Sequence, residues 1–184
     1  MKVVVLTGGR QGGKTSLCQR IAEQATAQGL RIGGVLSPAV FSEGEKIGIA
    51  VVDLSSGHSQ HLATRRRSPA PNALGYQFED VALAWADHIV ASAMPCDLFI
   101  IDEIGPLEIE SGGGIVSAFD VLRDGRHRLA LVVVRPELVD SFLDRLGLPC
   151  DVRNVEDFFD DVALGTGASP QDAIAKLLEE HLGG

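Results

Sequence analysis

Eight residues near the start of the chain, Gly8-Gly9-Arg10-Gln11-Gly12-Gly13-Lys14-Thr15, meet every fixed position of the pattern G-x-x-x-x-G-K-[ST]. Glycines at those places let the backbone approach a phosphate closely, and their N–H groups can cradle its oxygens. Lys14 would then reach the β and γ oxygens of a nucleotide, the Thr15 hydroxyl would ligate Mg²⁺, and Ser16 completes the nucleotide-binding run. A second piece is Leu98-Phe99-Ile100-Ile101-Asp102-Glu103, an apolar run that ends in two acids. Asp102 would hold the same Mg²⁺, and Glu103 would orient, or take a proton from, a water attacking the γ-phosphate. Loop and acids together describe cleavage of a nucleoside triphosphate between its β and γ phosphates. Such a transfer gains about 10³ to 10⁵ in rate from an arginine that neutralises charge on the γ-phosphate. The candidates are Arg135, which follows a buried run, and Arg66, within Arg65-Arg66-Arg67. If neither engages, turnover is slow, about 10⁻⁴ to 10⁻² per second.

This chemistry needs elements to position it. Val3 to Leu6 is fully apolar and β-branched, the pattern of a strand buried on both faces. Leu17, Ile21, Ala22 and Ala25 then recur at helical spacing, with Gly29 as a stop. The glycine loop therefore lies between a strand and a helix, where a phosphate meets the positive end of the helix dipole. Ile32 to Phe41 and Lys46 to Leu54 read as the two arms of a β-hairpin split by Ser42-Glu43-Gly44-Glu45, with Gln60 to Thr64 extended after them. Arg65 to Pro71 breaks the pattern and reads as a mobile loop. Phe78 to Ala93 is helical, offering Val81, Ala84, Trp85, His88 and Ile89 as an apolar face. Buried strands at Leu98 to Ile101 and Leu129 to Val134 alternate with helices at Ile115 to Leu122 and Pro136 to Leu146. A last strand follows at Val152 to Val155, and a helix at Pro170 to Leu182 takes Ser169 as its N-cap. The alternation predicts an α/β, three-layer fold with a mainly parallel sheet, a single domain over residues 1–184, and an antiparallel hairpin excursion at about 32–64.

Composition narrows the function. The chain has 184 residues, 45% of them hydrophobic, and 16 Lys plus Arg stand against 25 Asp plus Glu for a net charge of −9. That acidity argues against nucleic-acid binding, whose affinity comes largely from phosphate neutralisation. No apolar run approaches the roughly 20 residues of a membrane span. Cys18, Cys96 and Cys150 form no C-x-x-C pair, which fits a reduced, cytoplasmic protein. Cys18, one helical turn beyond Lys14, is expected to pack beneath the loop. His58 and His61 fall on opposite faces of an extended segment and share no metal. Glu156, Asp157, Asp160 and Asp161 read as a solvated acidic face.

Three pieces taken together carry a family resemblance: the glycine loop at the N-terminus, the Gly33-Gly34-Val35 to Asp53-Leu54 stretch with its internal Ile47-Gly48, and Asp102-Glu103-Ile104-Gly105-Pro106-Leu107-Glu108. Over about Met1 to Leu146 the chain resembles the small P-loop nucleoside-triphosphatase family with human and prokaryotic members. The resemblance implies a RecA-like P-loop fold and Mg²⁺-dependent hydrolysis of several nucleoside triphosphates to diphosphate and phosphate. Asp102-Glu103-Ile104-Gly105 also fits D-x-x-G, but no N-K-x-D or T-K-x-D follows, so guanine specificity is unsupported and a base-tolerant site is expected. Two other readings share these motifs: a nucleoside or nucleotide kinase, and a nucleotide-binding adaptor similar to the molybdopterin-guanine dinucleotide biosynthesis accessory proteins. Glu103 favours hydrolysis over binding alone. A protein partner is left open.

Overall fold

Strands that are apolar at every position must be covered on both faces, and alternate residues choose the face. In the computed structural model, which describes residues 1–9, 12–66, 75–158 and 169–183, the first strand β1 (Lys2–Thr7) obeys this rule. Val4 and Leu6 pack on one side with Leu17, Cys18 and Ile21 of helix α1 (Lys14–Ala27), while Val3 and Val5 pack on the other.

The chain continues through β2 (Ile32–Leu36), β3 (Ala39–Ser42), β4 (Glu45–Asp53), β5 (Ser59–Arg65), β6 (Tyr76–Phe78) and α2 (Asp80–Ser92). It then forms β7 (Cys96–Ile104), the short α3 (Pro106–Ile109), α4 (Ala118–Asp124), β8 (His127–Val134), α5 (Val139–Leu146), β9 (Asp151–Asn154) and α6 (Pro170–Leu182). One sheet holds them in the order β6-β5-β4-β2-β7-β8-β1-β9, with β3 paired to β4. From β2 to β9 the pairings are parallel, and those of β4 with β2, β3 and β5 are antiparallel. Helices α1 and α6 cover one face, and α2, α4 and α5 the other, so three layers enclose two apolar cores. Among the described residues no helix is long and apolar enough to cross a membrane.

The expected elements form, with shifted ends (the helix expected from Ile115 begins at Ala118, and Pro136–Leu138 is a 3-10 turn ahead of α5), an added strand β6, and three larger differences. Ile32 to Phe41 is not one arm. Ser37-Pro38 divides it, because proline lacks the N–H a ladder needs. Ile32–Leu36 then pairs parallel to β7 on one side and meets β4 antiparallel on the other at Val35 and Leu36, while Ala39–Ser42 makes the tight hairpin with β4. The antiparallel excursion therefore starts later than residue 32. Helix α2 begins after Phe78, which lies in β6, and turns inward a stripe shifted from the expected one, with Trp85 and Ile89 of that expected face half-buried against the core. Ala82, Ala86 and Val90 are buried whereas Val81 is 79% exposed, because small side chains let the helix lie close on the sheet. The third difference is α3, an added helical turn directly after the acids. At the C-terminal helix the expected cap is present: Ser169 and Asp172 bond each other's backbone N–H groups.

His127, at the start of β8, is only 3% exposed, stacks on Phe99 at 6.2 Å between centroids, and has neither ring nitrogen partnered among the described residues. Burial, helped by the N-terminal ammonium and opposed by Asp124, holds its imidazole below the ordinary value. The unfolded chain therefore takes up a proton that the fold resists. Stability is held above pH 6.5 and lost as pH falls through it, by at most about 1.4 kcal/mol per pH unit from one such group. His181, also lowered by burial, adds to the same trend. His127→Leu should flatten the fall in melting temperature between pH 7.5 and 5.5. An unchanged fall would mean that His127 is protonated without cost.

Candidate functional site

The turn after β1 is shaped by backbone constraints. Gly13, the N-cap of α1, has φ 80° and ψ 11°, a left-handed conformation that costs other residues energy. The Gly12 N–H donates to the Gly9 carbonyl at 3.1 Å, closing the loop on itself. Among the described residues no side chain caps α1, and no acid lies in its first turn, so its first N–H groups and its dipole face the loop without a protein anion. Lys14 Nζ donates to the carbonyls of Gly8 and Gly9 at 2.8 and 2.7 Å, which folds the ammonium over the loop. Thr15 and Ser16 follow in the first turn. Arg10 and Gln11 lie outside the described residues.

Alternation along β7 sends Leu98 and Ile100 toward α1, and Asp102 continues that series. Its carboxylate is 2% exposed, accepts the Ser37 N–H at 3.0 Å and a hydrogen bond from the Thr15 side chain. Desolvation, with the neighbouring Glu103 charge, raises its pKa from the ordinary carboxylate value, against the pull of the Ser37 and Thr15 hydrogen bonds and the Lys14 charge. Cys18 is buried beside it, and burial with the Asp102 charge holds that thiol protonated. A hydroxyl and a carboxylate that already converge are hard oxygen donors, the set Mg²⁺ uses when substrate phosphates and water complete its shell. Thr15 and Asp102 therefore fit the ion.

Glu103 departs from the strand. The β7–β8 register shifts between Ile101 and Ile104, and Glu103 sits at φ 82°, where a non-glycine residue costs about 1–3 kcal/mol. The bulge turns its carboxylate toward β8, and Arg135 Nε donates to Glu103 Oε1 at 2.5 Å. The pair is only partly shielded, at 33% and 39% side-chain exposure for Arg135 and Glu103. Because β8 lies between β1 and β7, Arg135 leaves the sheet between the phosphate loop and the two acids. Arg66 is placed differently. It is exposed at the end of β5, with four strands lying between β5 and β1, and its N–H donates to the Gly75 carbonyl. Arg67 lies outside the described residues, as do most of the expected mobile loop and Asp160 and Asp161. His61 Nε2 is 2.9 Å from Thr64 Oγ1, and His58 is exposed.

One residue was assigned no role from the sequence. Glu108 is 7% exposed and accepts the N–H groups of Gly105 at 2.9 Å and Ile115 at 3.0 Å. It closes residues 105–115 into a loop from inside. Gly114, at φ 68°, has no room for a Cβ beside the Glu108 carboxylate. An acid followed by Ser111-Gly112-Gly113-Gly114 was the only local sign of this arrangement.

The NTPase family model matches residues 3–156. The nucleoside-triphosphatase THEP1 of Methanopyrus kandleri is 29% identical over 180 residues, covering 97% of this chain and 94% of that protein. In fold, the chain is similar to a human cancer-related nucleoside triphosphatase, with a TM-score of 0.63 at 22% identity over 92% of this chain and 100% of that one. THEP1 from the hyperthermophile Aquifex aeolicus matches with the same TM-score at 16% identity, over 98% of this chain and 99% of that structure.

Proposed function

The chain belongs to the NTPase family and hydrolyses nucleoside triphosphates, and from that premise we propose that it cleaves the β–γ bond of Mg²⁺-bound ATP, GTP, CTP and UTP alike, slowly, as a single cytoplasmic domain. The observation that carries this reading is the convergence of the loop after β1, Arg135 after β8 and Asp102 with Glu103 on β7 at the same end of three adjacent strands. Gly8 to Gly13, with Arg10 and Gln11 among them, and the first N–H groups of α1 through Ser16 hold the phosphate oxygens. Lys14, lying over the loop carbonyls, supplies the charge that meets the β and γ oxygens. Thr15 and Asp102 hold Mg²⁺, which when bound neutralises charge on those oxygens. Glu103 orients the attacking water and takes its proton. Arg135 rather than Arg66 is the arginine for the γ-phosphate, because only Arg135 emerges beside the loop.

The absence of a guanine-reading motif supports base tolerance, and unpaired Cys18, Cys96 and Cys150 support the cytoplasmic location. Nucleic acid is not an expected partner of so acidic a chain. The test is Mg²⁺-dependent phosphate release from the four nucleotides. Comparable release from all four is expected, with a loss of about 10²-fold or more in Lys14→Ala, since a single charge aimed at the reacting group contributes on that scale. Tight binding without release from any of them would overturn hydrolysis in favour of a kinase or an adaptor.

A further inference from the structure

We propose that the Glu103–Arg135 ion pair is a latch that the γ-phosphate opens, so that Arg135 holds Glu103 inactive until a triphosphate is bound. This rests on the roles given to those two residues above. Three observations support it. The bond runs from Arg135 Nε to Glu103 Oε1, so the guanidinium edge best suited to gripping an anion side-on is already taken. Glu103 is held toward Arg135 by a positive φ and a broken strand register, a conformation the backbone would not choose unaided. Arg135 follows directly on β8, the strand that lies between β1, which leads into the phosphate loop, and β7, which carries Glu103.

The Glu103 oxygen that accepts the Arg135 N–H has a lone pair occupied, and the bond fixes where the carboxylate points. A γ-phosphate carries more charge than a carboxylate and arrives on the loop side of Arg135. When Arg135 turns to the phosphate, Glu103 is released and its lone pairs can accept the proton of the attacking water. A nucleoside diphosphate offers no γ-phosphate and leaves the pair closed. Arg135 would thus be a positioning residue for Glu103 before it serves the phosphate. The partial exposure of both side chains leaves them room to move.

The latch makes triphosphate binding bear the cost of opening the pair. Equilibrium affinities of Mg²⁺ with the β,γ-imido analogue of ATP, and of MgADP, should be measured for the wild type, Glu103→Gln, Arg135→Gln and the double variant. Glu103→Gln should tighten the triphosphate analogue about fivefold or more and leave MgADP within about twofold, the scale of a partly exposed ion pair. In the Arg135→Gln background that gain should vanish. A gain that persists or grows without Arg135 would identify simple repulsion between Glu103 and the γ-phosphate and overturn the latch. Equal effects on tri- and diphosphate, or none, would do the same. If Arg135→Gln does not melt as a folded protein, the Arg135 Nε–H resonance of the wild type serves instead. It should shift with the triphosphate analogue and not with MgADP, and indifference to the γ-phosphate overturns the proposal. Full phosphate release by Glu103→Gln would instead defeat the functional reading itself, whereas lost release without coupling to Arg135 defeats only the latch.

Discussion

Glu103→Gln should lower kcat by about 10² to 10⁴, the range a positioned general base contributes, while the protein stays folded and still binds nucleotide. Glutamine preserves the shape of the side chain and can orient a water, but it cannot take the proton. The fold should tolerate the change. The pair with Arg135 is a third or more exposed on both sides, so its loss costs no more than about 1 kcal/mol. The strained φ of 82° belongs to the backbone and is common to both residues. Single-turnover phosphate release under saturating nucleotide isolates the chemical step. A variant that retains wild-type turnover would remove Glu103 from the chemistry and leave Lys14 and Mg²⁺ to account for hydrolysis.

Asp102→Asn should have two opposite effects. Hydrolysis should fall by about 10² or more, because the ion near the β and γ oxygens loses its only protein carboxylate in the proposed set. The metal-free, nucleotide-free protein should become more stable at neutral pH. Asp102 is 2% exposed, and desolvation raises its pKa, so the ionised form costs the fold energy. For an acid raised in the fold, the native state holds the proton more tightly than the unfolded chain. The group therefore favours folding at low pH, and the penalty grows as pH rises from the unfolded value near 3.9 through the raised one. Asparagine still accepts the Ser37 N–H and carries no charge. In EDTA at pH 7 the variant should melt a few degrees above the wild type, at about 2–4 °C per kcal/mol for a domain of this size, and the gap should close toward pH 4. Adding Mg²⁺ and nucleotide should raise the wild type and reduce or reverse the difference. A variant that melts lower at pH 7 would show that the buried carboxylate is a net structural asset.

Much of this site was legible before folding. The glycine loop, its flanking strand and helix, and the apolar run into Asp102-Glu103 are local patterns, and local patterns survive in a linear text. So do the alternating helices and strands, and the cap at Ser169. The misreadings have a common cause. Val81 looked inward by period alone, yet the inward stripe of α2 is set by how near its alanines let it approach the sheet. Ile32 to Leu36 looked like a simple hairpin arm because its parallel partner, β7, lies more than sixty residues away, and only Val35 and Leu36 meet β4. Glu108 had only the glycine run after it as a local sign, and its burial depends on residues 105 and 115 closing around it.

By itself the sequence determined which groups could meet a phosphate and a metal ion, because residue type and short spacing settle the chemistry of a loop. Tertiary structure decided how those groups face one another. Strand β8 comes after β7 in the chain but inserts between β7 and β1, and that placement sets Arg135 against Glu103. The bulge that turns Glu103 off its strand exists only in the register with β8. Strand order and register are fixed by burying both faces of the sheet over long separations in sequence, and no local pattern records that balance.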